Sequence, residues 1–407
     1  MGDLQAVIFN PLEPGYIEHP FDHLAELRDL DPVHESPFGG WMLFRYEDVA
    51  RLLRDPKMSC DESNLVVWDR QRVAMFEEAY EGDFEESTSL LFVDPPDHTR
   101  LRRLVSKAFT PTVIEALRPM VRRMVDEMLD GMEEAGTTDV VHDLAFPLPF
   151  DVISEMLGMP EADKDLVAGW SAAIVKTLDP ILDEAAVQDA AKADRNMSEH
   201  LAGVIEWKRQ NPADDILTRM IEAEEDGDRL STRELRDQVS LLFVAGHETT
   251  VNLIGTGIYE LMRHRDQWEL LRNRADLDAN AVEELLRFVA PVQFSRRITV
   301  GEPVEFGGRT IPGGVSVSAG LASANRDPGK WGPSADELDI TREGANQHLS
   351  FGSGIHLCLG MSLAKLEAQE AIGRFVRRFP DARLDGDVEW NGRINLRGLE
   401  HLPVRVR

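Results

Sequence analysis

The sequence predicts a mainly α-helical fold with small β-sheets and one long helix through its centre. Three observations predict it. Residues 112–225 are almost wholly helical in pattern, with Val121, Met124, Val125, Met128 and Met132 forming one apolar stripe and Val152, Ile153, Met156 and Leu157 another. That is the spacing of helix faces packed on a core. Ser231-Thr232-Arg233-Glu234 is a capping box. It opens a helix running to about Leu261-Met262, apolar all round at its middle and therefore core-traversing. Strand signals are short and confined to the flanks.

The 407 residues, 43% hydrophobic, show no internal repeat and no linker, and read as a single domain over residues 1–407. No run of about 18 apolar residues occurs, so no membrane span is expected. Met1-Gly2-Asp3-Leu4-Gln5 lacks the layout of a signal peptide. Two cysteines, Cys60 and Cys358, make no disulfide framework, which fits a reducing cytoplasm. A net charge of −29 argues against nucleic acid and anionic membrane as partners.

From the N-terminus, Val33-His34-Glu35 and Trp41-Met42-Leu43-Phe44 flank Pro37-Phe38-Gly39-Gly40 as a hairpin. Asp48 to Leu53 reads as a short helix stopped before Pro56. Residues 59–90 have no clean periodicity and read as a long irregular segment, a kind that is often functional. Asp94-Pro95-Pro96-Asp97 starts a helix that places His98 and Arg102 one turn apart on one face, able to hold carboxylates.

Within the long helix lies Ala245-Gly246-His247-Glu248-Thr249-Thr250. A carboxylate and hydroxyls in a buried helix are costly unless they serve something. Ala245 and Gly246 leave room for a flat group, and Thr249 can bond back to a carbonyl one turn earlier. Glu284 and Arg287 are i, i+3 on a further helix, within ion-pair reach. Strands return over 292–318, and Val388-Glu389-Trp390 and Leu402 to Val406 are expected to close one small sheet.

The most specific stretch is Phe351-Gly352-Ser353-Gly354-Ile355-His356-Leu357-Cys358-Leu359-Gly360. It runs into a helix whose Leu363, Leu366, Ile372, Phe375, Val376 and Phe379 share a face until Pro380 stops it. Cys358 stands just ahead of the helix start, where free N–H groups and the dipole favour a thiolate. The glycines permit close approach of backbone to a flat cofactor over the sulfur.

This string resembles the haem-binding loop of the cytochrome P450 family, soluble bacterial class, with its pattern Phe-x-x-Gly-x-(Arg/His)-x-Cys-x-Gly. The resemblance extends to His98-x-x-x-Arg102, to Ala245-Gly246-x-Glu248-Thr249, to Glu284-x-x-Arg287 and to Arg297-Ile298-Thr299. It implies a P450-like fold with a long helix over haem b, and Cys358 as the ligand of the metal. Phe351, Gly352, Gly360, Ala245 and Gly246 would frame the cofactor. His98, Arg102, His356 and Arg297 would meet its propionates, with Arg296 the alternative if the register is offset by one. Glu248 and Thr249 match the acid–alcohol pair that delivers protons. Glu284, Arg287 and Arg342 match a buried structural set.

The activity so implied is insertion of one oxygen atom of O2 into a small, mainly hydrophobic organic substrate. Electrons would come from a separate ferredoxin-type donor with its reductase. Val66, Val67, Trp68, Val244, Val292, Phe294 and Leu396 are candidate pocket residues. Arg100, Arg103, Lys107, Arg374, Arg377 and Arg378 are candidates for docking the donor. A haem-thiolate peroxygenase and a non-catalytic haem or small-molecule binding protein are the alternative readings. The Glu248-Thr249 pair argues against the first, because peroxygenases of that kind replace it.

Overall fold

The long helix extends from Thr232 to Arg263 in a computed structural model that describes residues 7–66, 70–80, 87–160, 164–225 and 227–407. Its start is the capping box: Ser231 Oγ accepts from Glu234 N, and Glu234 returns to Ser231 N at 2.7 Å. Leu235, Val239, Phe243, Val251, Ile254, Ile258 and Leu261 are buried along it. Helices Pro147–Leu157, Lys164–Val175, Glu184–Gln210 and Met361–Arg378 pack around it. This bundle encloses the principal core, to which Val121, Val125, Met132, Val152, Ile153, Met156 and Leu157 contribute as their stripes require.

Five short strands make the largest sheet, in the order Val33–Glu35, Trp41–Leu43, Ser316–Gly320, Phe294–Thr299, Met58–Ser59. Trp41–Leu43 pairs parallel to Ser316–Gly320, joining the N-terminal hairpin to the C-terminal half. The hairpin Val304–Phe306/Arg309–Ile311 forms as the sequence suggests. The terminal strands do not share one sheet. Glu389–Trp390 pairs with Leu399–His401, whereas Pro403–Arg405 lies between Arg383–Leu384 and Thr137–Asp139. Within 59–90, a helix at Arg70–Ala79 replaces the expected irregular chain. Its scattered acidic residues mask an apolar side that packs, through Ala79, on Val187 and Ala191.

Behind the cysteine loop stands a buried charge cluster. Arg287, 0% exposed, holds Glu284, also 0% exposed, through two hydrogen bonds of 2.7 and 2.8 Å. Arg342 Nε reaches the same carboxylate at 3.1 Å. The remaining guanidinium hydrogens go to main-chain carbonyls of Asn325, Ala335 and Glu337. Every lone pair and proton thus has a partner, which buried charge demands. Neutralising the carboxylate strands two guanidinium groups in the interior. Glu284→Gln is expected to cost about 3–5 kcal/mol in chemical denaturation, read as a lowered midpoint with unchanged slope.

Candidate active site

Residues 351–360 fold into a loop closed by Cys358 N donating to Phe351 O at 3.0 Å. Gly352 and Gly354 have φ of +70° and +75°, a conformation strained for other residues. A Cβ on Gly354 would lie 2.5 Å from Leu53 O, so only glycine lets this loop seat on helix Tyr46–Arg54. Arg54 Nε fastens it by donating to Ser353 Oγ at 2.8 Å.

Cys358 lies deep among protein atoms yet is open on one side. Burial pushes its thiol up on balance, against hydrogen bonds from Gly360 N–H and Met361 N–H and the charge of Arg102, which pull it down. The helix Met361–Arg378 begins at that point, so these are its unpaired amides. Cys60 has different surroundings. Burial and Asp94 raise its thiol, and Cys60 N donates to Asp94 Oδ1 at 2.9 Å.

Four nitrogen-bearing side chains converge beside the loop. His98, 2% exposed, lies with its ring centroid 4.2 Å from that of His356, and the Nε2 atoms of both lack partners. Arg102 Nη2 donates to Leu357 O. Arg297, 6% exposed, donates to Arg296 O at 2.7 Å and Ser295 Oγ at 3.2 Å. Among the described residues neither arginine pairs with a carboxylate. Asp94, which acts on His98, is itself held by Cys60 N and Ser59 Oγ. His356 is pushed down to about 3, first by burial and then by the charges of His98, Arg297 and Arg102. His98 shifts the same way, from burial and Arg102. Uncompensated donors at this density fit a dianionic ligand. Arg296, one residue away, is paired with Glu62 and faces a different set of groups.

On the long helix, Thr249 Oγ1 donates to Ala245 O at 2.9 Å and Thr250 Oγ1 to Gly246 O at 3.1 Å. Ala245 and Gly246 are half-buried between buried neighbours on either side, and a Cβ on Gly246 would lie 3.0 Å from Ile153 Cδ1, so the long helix packs closely there. His247 points elsewhere: Nε2 meets Phe146 O at 3.0 Å, and Phe146 and Phe150 pack on its ring. Burial pushes it down to about 4, so it stays neutral. Glu248 is raised by burial and opposed by Arg393, whose Nη1 stands 2.7 Å from Oε1. Nothing in the sequence pattern singles out Arg393.

Val244 and Leu396 pack together with Val175, and Val292, Ile174 and Leu178 join them. The three residues from the Lys164–Leu178 segment were not legible beforehand, because their face is defined only by packing. Phe294 does not line this group. It packs edge-on against Phe9, 5.5 Å away, since strand register turns it to the N-terminal cluster. Val66 is 79% exposed and lies against Gly314. Val67 and Trp68 fall outside the described residues.

The basic residues considered for docking are largely answered by their own neighbours. Arg100 pairs with Asp228 and Glu234, Arg374 with Asp126, Arg377 with Asp278, and Arg378 with Asp130 and Glu133. Lys107 Nζ donates to Glu224 O. A separate trio, Asp139, His142 and His401, has ligand atoms within 4.8 Å of one another. Asp139 Oδ2 already accepts from His401 Nδ1 at 2.8 Å, and its Oδ1 from the N–H groups of Val141 and Leu402.

A cysteine at a helix start, a basic pocket beside it and an acid–alcohol pair in the facing long helix define a haem-dependent oxygenase class. The cytochrome P450 family profile matches residues 68–385. Cytochrome P450 107B1 of Saccharopolyspora erythraea is 41% identical over 95% of this chain and 92% of its own. The polyketide biosynthesis cytochrome P450 PksS of Bacillus subtilis is 36% identical over 99% of this chain and 100% of its own. Its crystal structure superposes with a TM-score of 0.87, covering 98% of this chain and 100% of that one. P450BioI, solved with an acyl carrier protein bearing hexadec-9Z-enoic acid, superposes at 0.87 with 33% identity, over 96% of this chain and 98% of that one. The chain belongs to the cytochrome P450 family. It is therefore an oxidoreductase that uses haem b, and its relatives include monooxygenases and hydroxylases. No helix among the described residues is long and apolar enough to cross a membrane.

Glu367, on the inner face of the cysteine helix, is 1% exposed; its Oε1 lacks a partner, and burial pushes it up to about 8. The folded state therefore holds this proton more tightly than the unfolded chain. The resulting stabilisation is complete below about pH 4.5 and is lost as pH rises towards 8. Glu367→Gln is expected to gain on the wild type by about 3.5 kcal/mol between pH 5 and pH 8, measured by denaturant unfolding at both.

Proposed function

We propose that this chain is a haem-thiolate monooxygenase in which Cys358 Sγ binds the haem iron. The observation that carries it is the sulfur held under the Gly360 and Met361 N–H groups at the start of Met361–Arg378. Haem b, when bound, supplies the iron at which O2 is activated for transfer of one oxygen atom to a C–H bond. His98, Arg102, Arg297 and His356 receive the propionates, Arg297 rather than Arg296 because only the former is free of a carboxylate. Phe351, Gly352 and Gly360 would hold the haem from the loop, with Ala245 and Gly246 of the long helix as further neighbours.

Glu248 and Thr249 serve as the proton relay. The carboxylate exchanges its proton towards solvent, and Thr249 Oγ1 passes one on towards the oxygen site. The substrate is a mainly hydrophobic organic molecule seated on Val175, Val244, Val292 and Leu396. An acyl or polyketide-like chain is favoured by the names of PksS and of the acyl carrier protein complex. Electrons come from a ferredoxin-type protein with its reductase, in the cytoplasm. The ion-paired arginines of Met361–Arg378 contribute little net charge to that docking. Haem, substrate, O2 and a redox partner are common to the family; the donor's type and the substrate class belong to this proposal.

The reduced protein with carbon monoxide is expected to show the cysteinate-type absorption shift. Cys358→Ser should abolish that shift while Cys60→Ser keeps it; the reverse pattern overturns the assignment. Arg297→Leu is expected to lower haem retention at least tenfold in a competition assay with apomyoglobin, and Arg296→Leu less than threefold. Equal losses would show that the propionates do not distinguish them.

A further inference from the structure

Arg393 stands in the turn between strands Glu389–Trp390 and Leu399–His401. That turn has little freedom. Asn391 Oδ1 accepts from Arg393 N at 3.1 Å, and Asn391 Nδ2 donates to Leu396 O at 2.9 Å. Asn252, one turn beyond Glu248 on the long helix, also donates to Leu396 O, at 3.2 Å. Gly398 fits so closely that a Cβ there would lie 1.8 Å from Asn252 Oδ1. Asn395 N donates to Asp179 Oδ1 at 2.8 Å, and Phe294 N to Asn395 Oδ1 at 2.9 Å. One short segment therefore presents a guanidinium to Glu248, 2.7 Å away, and a leucine to the apolar cluster of Val175 and Val244.

We propose that Arg393 is a positioning residue for proton delivery: it holds Glu248 in an ion pair, and a ligand pressing on Leu396 loosens that pair by displacing residues 391–398. The proposal rests on Glu248 and Thr249 forming the relay described above. Arg393 provides the attraction felt by Glu248, and Asn391 a neutral hydrogen bond. Glu400, on the adjoining strand, repels it, and His247 on the same helix is neutral. Burial, the largest influence, and Glu400 both favour the protonated carboxyl and leave it raised overall, while Arg393 draws it back towards the ionised form. The gain is a carboxylate that takes up a proton from solvent readily only once the arginine yields, and so has one to pass to Thr249 Oγ1 only then.

Infrared difference titration of the ferric haem-loaded protein tests this directly. Each variant is compared with its Glu248→Gln counterpart, so that the carboxyl band belongs to one residue. In Arg393→Met the titration midpoint of Glu248 is expected to rise by at least one pH unit, and Arg393→Lys should bring it back towards the wild type. Leu396→Phe, which overfills the cluster and pushes on the turn from inside, should shift the midpoint upward with Arg393 still present. Melting temperature and haem content identify any variant that merely misfolds; Val175→Leu, which adds bulk to the same cluster, then takes the place of Leu396→Phe and is read in the same way. An unchanged midpoint in Arg393→Met, or one that lysine does not restore, overturns the positioning role. An unchanged midpoint in the Leu396 variant overturns the link to the pocket. A reduced carbon monoxide spectrum without cysteinate character would instead count against the haem-thiolate reading, while the carboxyl titration would still report on the pair.

Discussion

A sulfur that must carry negative charge inside a protein is opposed by its own burial. The chain answers with two amide N–H groups at one helix start and with Arg102 across the loop. That solution requires the backbone at 358–361 to hold one course, and much of the surrounding structure enforces it. The Cys358–Phe351 hydrogen bond closes the loop, and Gly354 lets it seat on Leu53 and Arg54. Asn325 ties the preceding residues down by accepting from Leu349 N and donating to Ser350 Oγ. Asn325 is in turn held by Arg287, through its carbonyl, and so by Glu284 and Arg342. A buried ion pair adds little net stability compared with apolar packing. Here its value lies in fixing the main chain that frames the cysteine.

Charge is distributed by location, not by total. With 73 acidic and 44 basic residues, an arginine on the outside usually finds a carboxylate, as Arg374, Arg377 and Arg378 do on the cysteine helix. Solvent screening makes such exposed pairs worth little. At the loop, Arg102 and Arg297 find no carboxylate among the described residues and donate to main-chain carbonyls instead. There the missing counter-charge is expressed as His356 and His98 held neutral and Nε2 atoms left without partners. Burying unsatisfied donors is costly in isolation, and the cost is offset once a dianion enters.

What could be read from the sequence was local, or was local chemistry in a fixed order. The capping box at Ser231, the helix start after Cys358 and the i, i+3 pair Glu284–Arg287 are each set by residues within one or two turns. Their geometry follows from helix periodicity. Features that depend on which faces meet across the fold were not legible. Phe294 sits on a recognisable strand, yet the register of that strand sends it to Phe9 and away from Val244. Val66 is apolar and follows directly on Leu65, yet it lies exposed. The two C-terminal strands look alike, but the stretch between them pairs back on itself and leaves the last to bridge Arg383–Leu384 and Thr137–Asp139. Arg393 stands in a commonplace Asn-Gly-Arg turn, and only folding brings it to Glu248.

The long helix shows how function is accommodated at a price in regularity. Two successive threonines donate back to carbonyls four residues earlier, a bond that competes for acceptors already used by the helix and tends to bend it. The acceptors of these bonds are the carbonyls of Ala245 and Gly246, two residues with little bulk, and Ile153 packs against the second of them. On the other side His247 is gripped between Phe146 and Phe150 and bonded to a main-chain carbonyl, which keeps the same turn from slipping. One face is thus loosened and the opposite face pinned within six residues. A rigid apolar helix would pack better, and the two roles proposed for this turn, a neighbour for a flat cofactor and a carboxylate that changes its proton, are what would offset the loss.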